Sequence, residues 1–267
     1  MATIGRAARR DGPPRAGQSL QAAYSQRYGA WIAARRRSAA LSALWWGPLI
    51  VAVSVAAGLS THYPLFGVLY FVLGTAVVLD VLFRRPDALV RVQARAAAES
   101  ETGKALRAVE IRGRAMVLHD RVLTGFGEPF EVEHLVLSPR GAFLVDSKQW
   151  HDRDVRMFGA MMYVDHVDQS PMFKRLVDQA RTIGEALTAA AARDEEVGIV
   201  TVLPVLAVHI EKLQGTPRNM QGVTVLIPEQ LASTMRSPDV RWSASAVNSL
   251  VLAADRLLLS KQQTGSV

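Results

Sequence analysis

A carboxylate and an ammonium stand two residues apart in the run Phe143-Leu144-Val145-Asp146-Ser147-Lys148. On a strand that spacing puts Asp146 and Lys148 on one face. A second strand-like run, Phe130 to Ser138, carries Glu133, and Ser138-Pro139-Arg140-Gly141 between the two runs is a strong turn signal, with Pro at the second position and Gly at the fourth. If Pro139-Arg140 is a two-residue turn, Glu133 falls opposite Asp146, with Cβ atoms roughly 5 Å apart. A bulge at Gly141 would shift that register by one. Two acids this close repel each other, and a divalent cation with oxygen ligands, Mg²⁺ or Mn²⁺, relieves the repulsion. A lysine beside such a site can orient or help deprotonate a water, or stabilise charge developing on a phosphate. The chemistry implied is metal-assisted phosphodiester hydrolysis. The same spacing also describes an exposed, salt-bridged strand edge.

The elements needed to position these residues are legible around them. Asp87 to Ile111, rich in Ala, Arg, Glu and Leu, reads as a helix interrupted at Gly103. Three strands follow, Ala115 to Leu123, Phe130 to Ser138 and Ala142 to Lys148, with a weaker pair through Val155 to Val164. Lys174 to Arg193 has apolar residues at helical spacing (Leu176, Val177, Ala180, Ile183, Leu187). Ile199 to Ile210 is apolar and β-branched, like a strand buried on both faces. Gly222 to Ile227 is a further strand, Pro228 opens a short helix, and Ser243 or Ser245 caps a last helix running to about Leu259. This order predicts an α/β fold with a mixed sheet flanked by helices over residues 88–267.

The whole chain has 267 residues, no cysteine, 49% apolar residues and a formal charge of +7. Lacking cysteine, it has no disulfide, thiolate metal site or catalytic thiol. The positive charge is concentrated: residues 1–38 hold eight arginines (Arg6, Arg9, Arg10, Arg15, Arg27, Arg35, Arg36 and Arg37) against Asp11 alone, whereas residues 84–267 are within one charge of neutral. This asymmetry weakens the case for the domain as a broadly basic nucleic-acid binder. The arginine-rich tail instead reads as a topology signal that can also touch anionic lipid.

Directly after Arg35-Arg36-Arg37, residues 39–59 carry no charge, and a second apolar run, residues 64–83, is broken only by Asp80. Each is about the length that crosses a hydrocarbon core as a helix. Trp45, Trp46 and Tyr63 suit the interfaces, and neither run shows the polar stripe of a soluble helix. Arginines flank both outer ends and none lies in the connector, so the positive-inside rule predicts a two-helix transmembrane hairpin in the cell (inner) membrane with both termini cytoplasmic.

The stretch Val132-Glu133-His134-Leu135-Val136-Leu137-Ser138-Pro139-Arg140-Gly141-Ala142-Phe143-Leu144-Val145-Asp146-Ser147-Lys148-Gln149-Trp150 resembles the core signature of the nuclease-related domain (NERD) family, itself related to the PD-(D/E)xK nucleases. The resemblance extends over roughly residues 95–235. It implies a PD-(D/E)xK-like core preceded by the hairpin, and nucleic acid as the substrate. By this resemblance Asp146 and Lys148 fill the (D/E)xK pair, Glu133 fills the preceding metal-binding acid, and Gln179 matches the glutamine of the following helix. His119-Asp120 resembles the family's first strand. Two positions depart from the pattern: Glu133 replaces the usual Asp, and Gly103-Lys104 replaces a usual Gly-Glu pair, with Glu99 and Glu101 nearby. The alternative to a nuclease is a catalytically inactive binding or scaffold module with the same fold, tethered to the membrane.

Among the other polar residues, His134 points away from Glu133 and reads as a core group. His151, Asp152, Asp154, Asp165, His166 and Asp168 read as loop residues around a short hairpin, with a transition-metal site the alternative. Trp150 reads as packing.

Overall fold

The computed structural model describes residues 16–113, 115–192, 194–211, 218–235 and 240–261. Arg6, Arg9, Arg10 and Arg15 lie outside the described residues. The chain divides into two compact units: Ala22–Gln93, and Ala94–Val267 together with the segment that ends at Gln21.

In the first unit, helix α1 (Gln18–Thr61) is continuous for 44 residues, and α2 (Pro64–Phe83) follows a two-residue connector. The sequence marks a charged tail and then an apolar helix; the structure joins them. Between Gln18 and Arg37 there is no proline and a single glycine, Gly29, and Ala, Arg and Gln there are good helix formers. The most apolar stretches, Leu44–Thr61 and Pro64–Phe83, point their side chains outward, and α2 has no buried residue. Both are long and apolar enough to cross a membrane. The two helices pack through small residues: a methyl added to Gly67 would fall 2.7 Å from the Ser54 carbonyl oxygen.

The second unit is a mixed seven-stranded sheet in the order β10-β1-β2-β3-β7-β9-β8, with helices on both faces. Its elements are α3 (Asp87–Gly113, entering from the first unit), β1 (Met116–Leu123), β2 (Phe130–Ser138) and β3 (Gly141–Gln149). After these come β4 (Val155–Phe158), β5 (Met161–Val164), β6 (Val167–Asp168) and α4 (Ser170–Ala190). The chain ends with β7 (Val202–His209), β8 (Arg218–Met220), β9 (Val223–Leu226), α5 (Leu231–Thr234), α6 (Ala244–Leu257) and β10 (Leu258–Ser260). β1, β2 and β3 form an antiparallel meander, while β7 pairs in parallel with both β3 and β9. Parallel pairing at the centre explains why β7 is apolar on both faces. One core layer joins the sheet to α4 and α6 through Phe173, Ile183, Leu187 and Leu250; the other joins it to α3 and α5 through Leu106, Val109 and Leu231. β4, β5 and β6 form a separate small antiparallel sheet between β3 and α4.

Three elements differ from expectation. α3 runs unbroken through Gly103. α4 starts four residues earlier than Lys174, at Ser170, with Pro171 in its first turn where a missing N–H costs nothing. The last helix is capped by Ser243, whose side chain accepts from the Ala246 N–H, but Leu258 leaves it to pair with β1 because that side chain is buried in the core.

Candidate active site

The β2–β3 turn has the two-residue form, with Ser138 opposite Gly141 and His134 opposite Val145, so no bulge shifts the register. Glu133 and Asp146 are the next facing positions. The Glu133 side chain is buried, and its Oε2 accepts the Ser147 N–H at 2.8 Å. Lys148 Nζ donates to Asp146 Oδ2 at 2.5 Å. Three of the residues singled out from sequence spacing thus stand together at the end of one hairpin. Gln179 lies half-buried on α4, a helix packed against β3, with no hydrogen bond to any of the three among the described contacts.

Sequence reasoning missed Arg95, and it named Asp120 and Glu99 without placing them beside this pair. Arg95 of α3 donates to Glu133 Oε1 at 3.1 Å and lies 3.6 Å from Glu131 and 4.0 Å from Glu99. Glu99 is 2% exposed, and its Oε2 has no hydrogen-bond partner. Asp120 is also buried, and it sits between the β1–β2 pairs His119↔His134 and Arg121↔Val132, hence opposite Glu133. Its φ of +51° is uncommon outside glycine. Asp120, Glu133 and Asp146 therefore form a row of acids across three adjacent strands, with Glu99 joining from α3. Lys104 is exposed on α3. The α3 carboxylate that reaches the cluster is Glu99, one turn before Gly103.

The electrostatics follow from burial and crowding. Burial, and next the Asp146 charge, push the Glu133 carboxyl well above its ordinary value. Burial also opposes ionisation of Asp146, but the Lys148 ammonium and hydrogen bonds from Glu133 and Lys148 outweigh it and hold that carboxyl low. The pair thus shares one proton, on Glu133, with the charge on Asp146. Burial and then the Asp120 charge raise Glu99 to about 7.

These residues suit an oxygen-seeking divalent cation. The donors are all carboxylate oxygens, and one of them, Glu99 Oε2, is buried without a partner. As placed, no three Asp, Glu or His side chains converge as a metal site among the described residues. The Arg95 guanidinium and the Lys148 ammonium stand among them as positive charges.

The other histidines and acids take structural places. His134 is fully buried and shares a proton between its Nδ1 and that of His119 at 2.9 Å; burial drives it down to about 3, so it is neutral. Asp165 pairs with Arg153, Asp154 pairs with Arg156, and Trp150 is in the core. His209 bridges Thr102 and Glu101.

Residues 94–208 match the family described as nuclease-related domain, NERD. No curated protein and no solved structure matches the chain. The matched segment begins one residue before Arg95 and ends in β7, so it contains α3 from residue 94 onward, the meander and every member of the acidic cluster.

Proposed function

We propose that this chain, whose residues 94–208 are a nuclease-related domain, is a membrane-anchored, divalent-metal-dependent hydrolase of nucleic-acid phosphodiesters. The observation that carries this reading is buried Glu133 facing half-buried Asp146, with Lys148 hydrogen-bonded to Asp146. Glu133 and Asp146 would hold Mg²⁺ or Mn²⁺, which when bound supplies a Lewis acid for the phosphoryl oxygen and lowers the pKa of water. Lys148 would hold the attacking water in line or stabilise charge on the phosphoryl oxygens, and Glu133 would hold the metal as its ionised carboxylate. The family resemblance adds Gln179 as a polar group near the same centre. The outward-facing apolar helices support anchoring in the inner membrane, and the flanking arginines support cytoplasmic termini, with anionic lipid as a contact of the tail.

One observation favours a second reading, a non-catalytic tethered module: the Arg95 guanidinium already donates to Glu133 at 3.1 Å, beside the oxygens a cation would use. Calorimetric titration of the full chain in detergent separates the two. Hydrolysis requires saturable Mn²⁺ binding that Asp146→Asn weakens at least about tenfold, with a proton released near neutral pH. No heat from either protein supports the module.

A further inference from the structure

The segment Ala16–Gln21, which ends the amino-terminal tail and starts α1, packs directly on the acidic cluster. Ser19 donates twice to Asp120, from its N–H to Oδ2 at 3.1 Å and from its hydroxyl to Oδ1 at 2.9 Å. Gly17 is buried with φ of +68°, and a Cβ there would come within 3.0 Å of the Ala96 carbonyl and 3.5 Å of Glu99 Oε2. That Glu99 oxygen is the one without a hydrogen-bond partner. Gly103 faces the same segment: a Cβ on it would fall 2.2 Å from the Ala16 Cβ. A glycine inside a helix costs about 1 kcal/mol against alanine, and the seat it makes for Ala16 accounts for its presence in the middle of α3. The identities of Gly17, Ser19 and Gly103 are thus all explained by one contact.

That contact places the positive dipole end of α1 against Asp120, with the Ser19 N–H donating to it. The helix start supplies partial positive charge to the acids, as a cation would. It also occupies both Asp120 oxygens and seals Glu99 from solvent.

We propose that residues 16–21 are a strap that closes the acidic cluster, and that seating of the strap and binding of a divalent cation at Glu133 and Asp146 oppose each other. This rests on the metal-dependent reading above. With the strap seated, the carboxylates of Asp120 and Glu99 are engaged or covered. With it released, both add uncompensated negative charge beside Glu133 and Asp146 and draw a cation in. Because the strap is the first turn of α1, the same continuous helix leads to the apolar stretch Leu44–Thr61.

The test uses the full chain in detergent micelles, with amide hydrogen exchange of residues 16–21 and Mn²⁺ binding followed by electron paramagnetic resonance. Saturating Mn²⁺ should speed exchange of the strap amides about tenfold or more. Ser19→Ala removes two bonds to a charged group, and Gly103→Ala favours the helix while evicting Ala16; each should tighten Mn²⁺ binding about tenfold. If Mn²⁺ binds the unaltered chain, leaves strap exchange unchanged and binds both variants equally well, the strap proposal is wrong while the metal reading stands. If neither the unaltered chain nor the variants bind Mn²⁺, both are wrong.

Discussion

At the scale of single residues, the cluster is a problem of too much negative charge in too little water. Asp120, Glu99, Glu133 and Asp146 are offset by Arg95 and Lys148, and by protons held on Glu133 and Glu99. Glu99 gives a sign that can be measured. Its folded carboxyl titrates at about 7 against an ordinary value of 4.5, so the folded state holds the proton more tightly than the unfolded state does. The resulting stabilisation is fully present below the unfolded value and is lost as pH rises through the folded one. Without divalent cation, the melting temperature should therefore fall between about pH 5 and pH 7.5. Glu99→Gln, which keeps the shape and cannot ionise, should flatten that part of the curve. An equally steep fall in the variant would show that Glu99 is ionised in the folded protein.

At the scale of elements, the hairpin was the legible part of the site. Glu133, Asp146 and Lys148 lie within one antiparallel pair, where a two-residue turn and a period of two fix which side chains face each other. The remaining members come from far along the chain. Arg95 and Glu133 are 38 residues apart and Ser19 and Asp120 are 101 apart, and no local periodicity relates such positions. Gly103 shows the same limit, since local propensity reads it as a break whereas the packed segment makes it a seat. The edge strand β10 was hidden because Leu257, Leu258 and Leu259 continue a helical apolar pattern. Gly184 in α4 provides a test of packing against propensity. Alanine is the better helix former by about 1 kcal/mol, but here its methyl would meet the Val200 carbonyl at 2.7 Å. Gly184→Ala should therefore destabilise the domain, by about 1–3 kcal/mol, read as a lowered midpoint of chemical unfolding. A raised midpoint would mean that α4 does not lie this close to the entry to β7.

At the scale of the whole molecule, a nuclease-related domain follows two helices long and apolar enough to cross a membrane, and the absence of cysteine makes the proposed topology directly measurable. In spheroplasts, Thr61→Cys, at the connector between the apolar helices, should react with a membrane-impermeant maleimide. Ala160→Cys, on the exposed β4–β5 turn, should react only after permeabilisation. The opposite pattern would invert the orientation that the flanking arginines imply. The most direct measurement of the central claim is cleavage of nucleic acid by the purified full chain with and without Mg²⁺ or Mn²⁺, compared with Lys148→Ala and Asp146→Ala. The account predicts cleavage only with divalent metal and a loss of at least about a thousandfold in each variant, the scale expected when a group stabilising the transition state is removed. Cleavage that survives the two substitutions together, or that proceeds equally well in chelator, would contradict it.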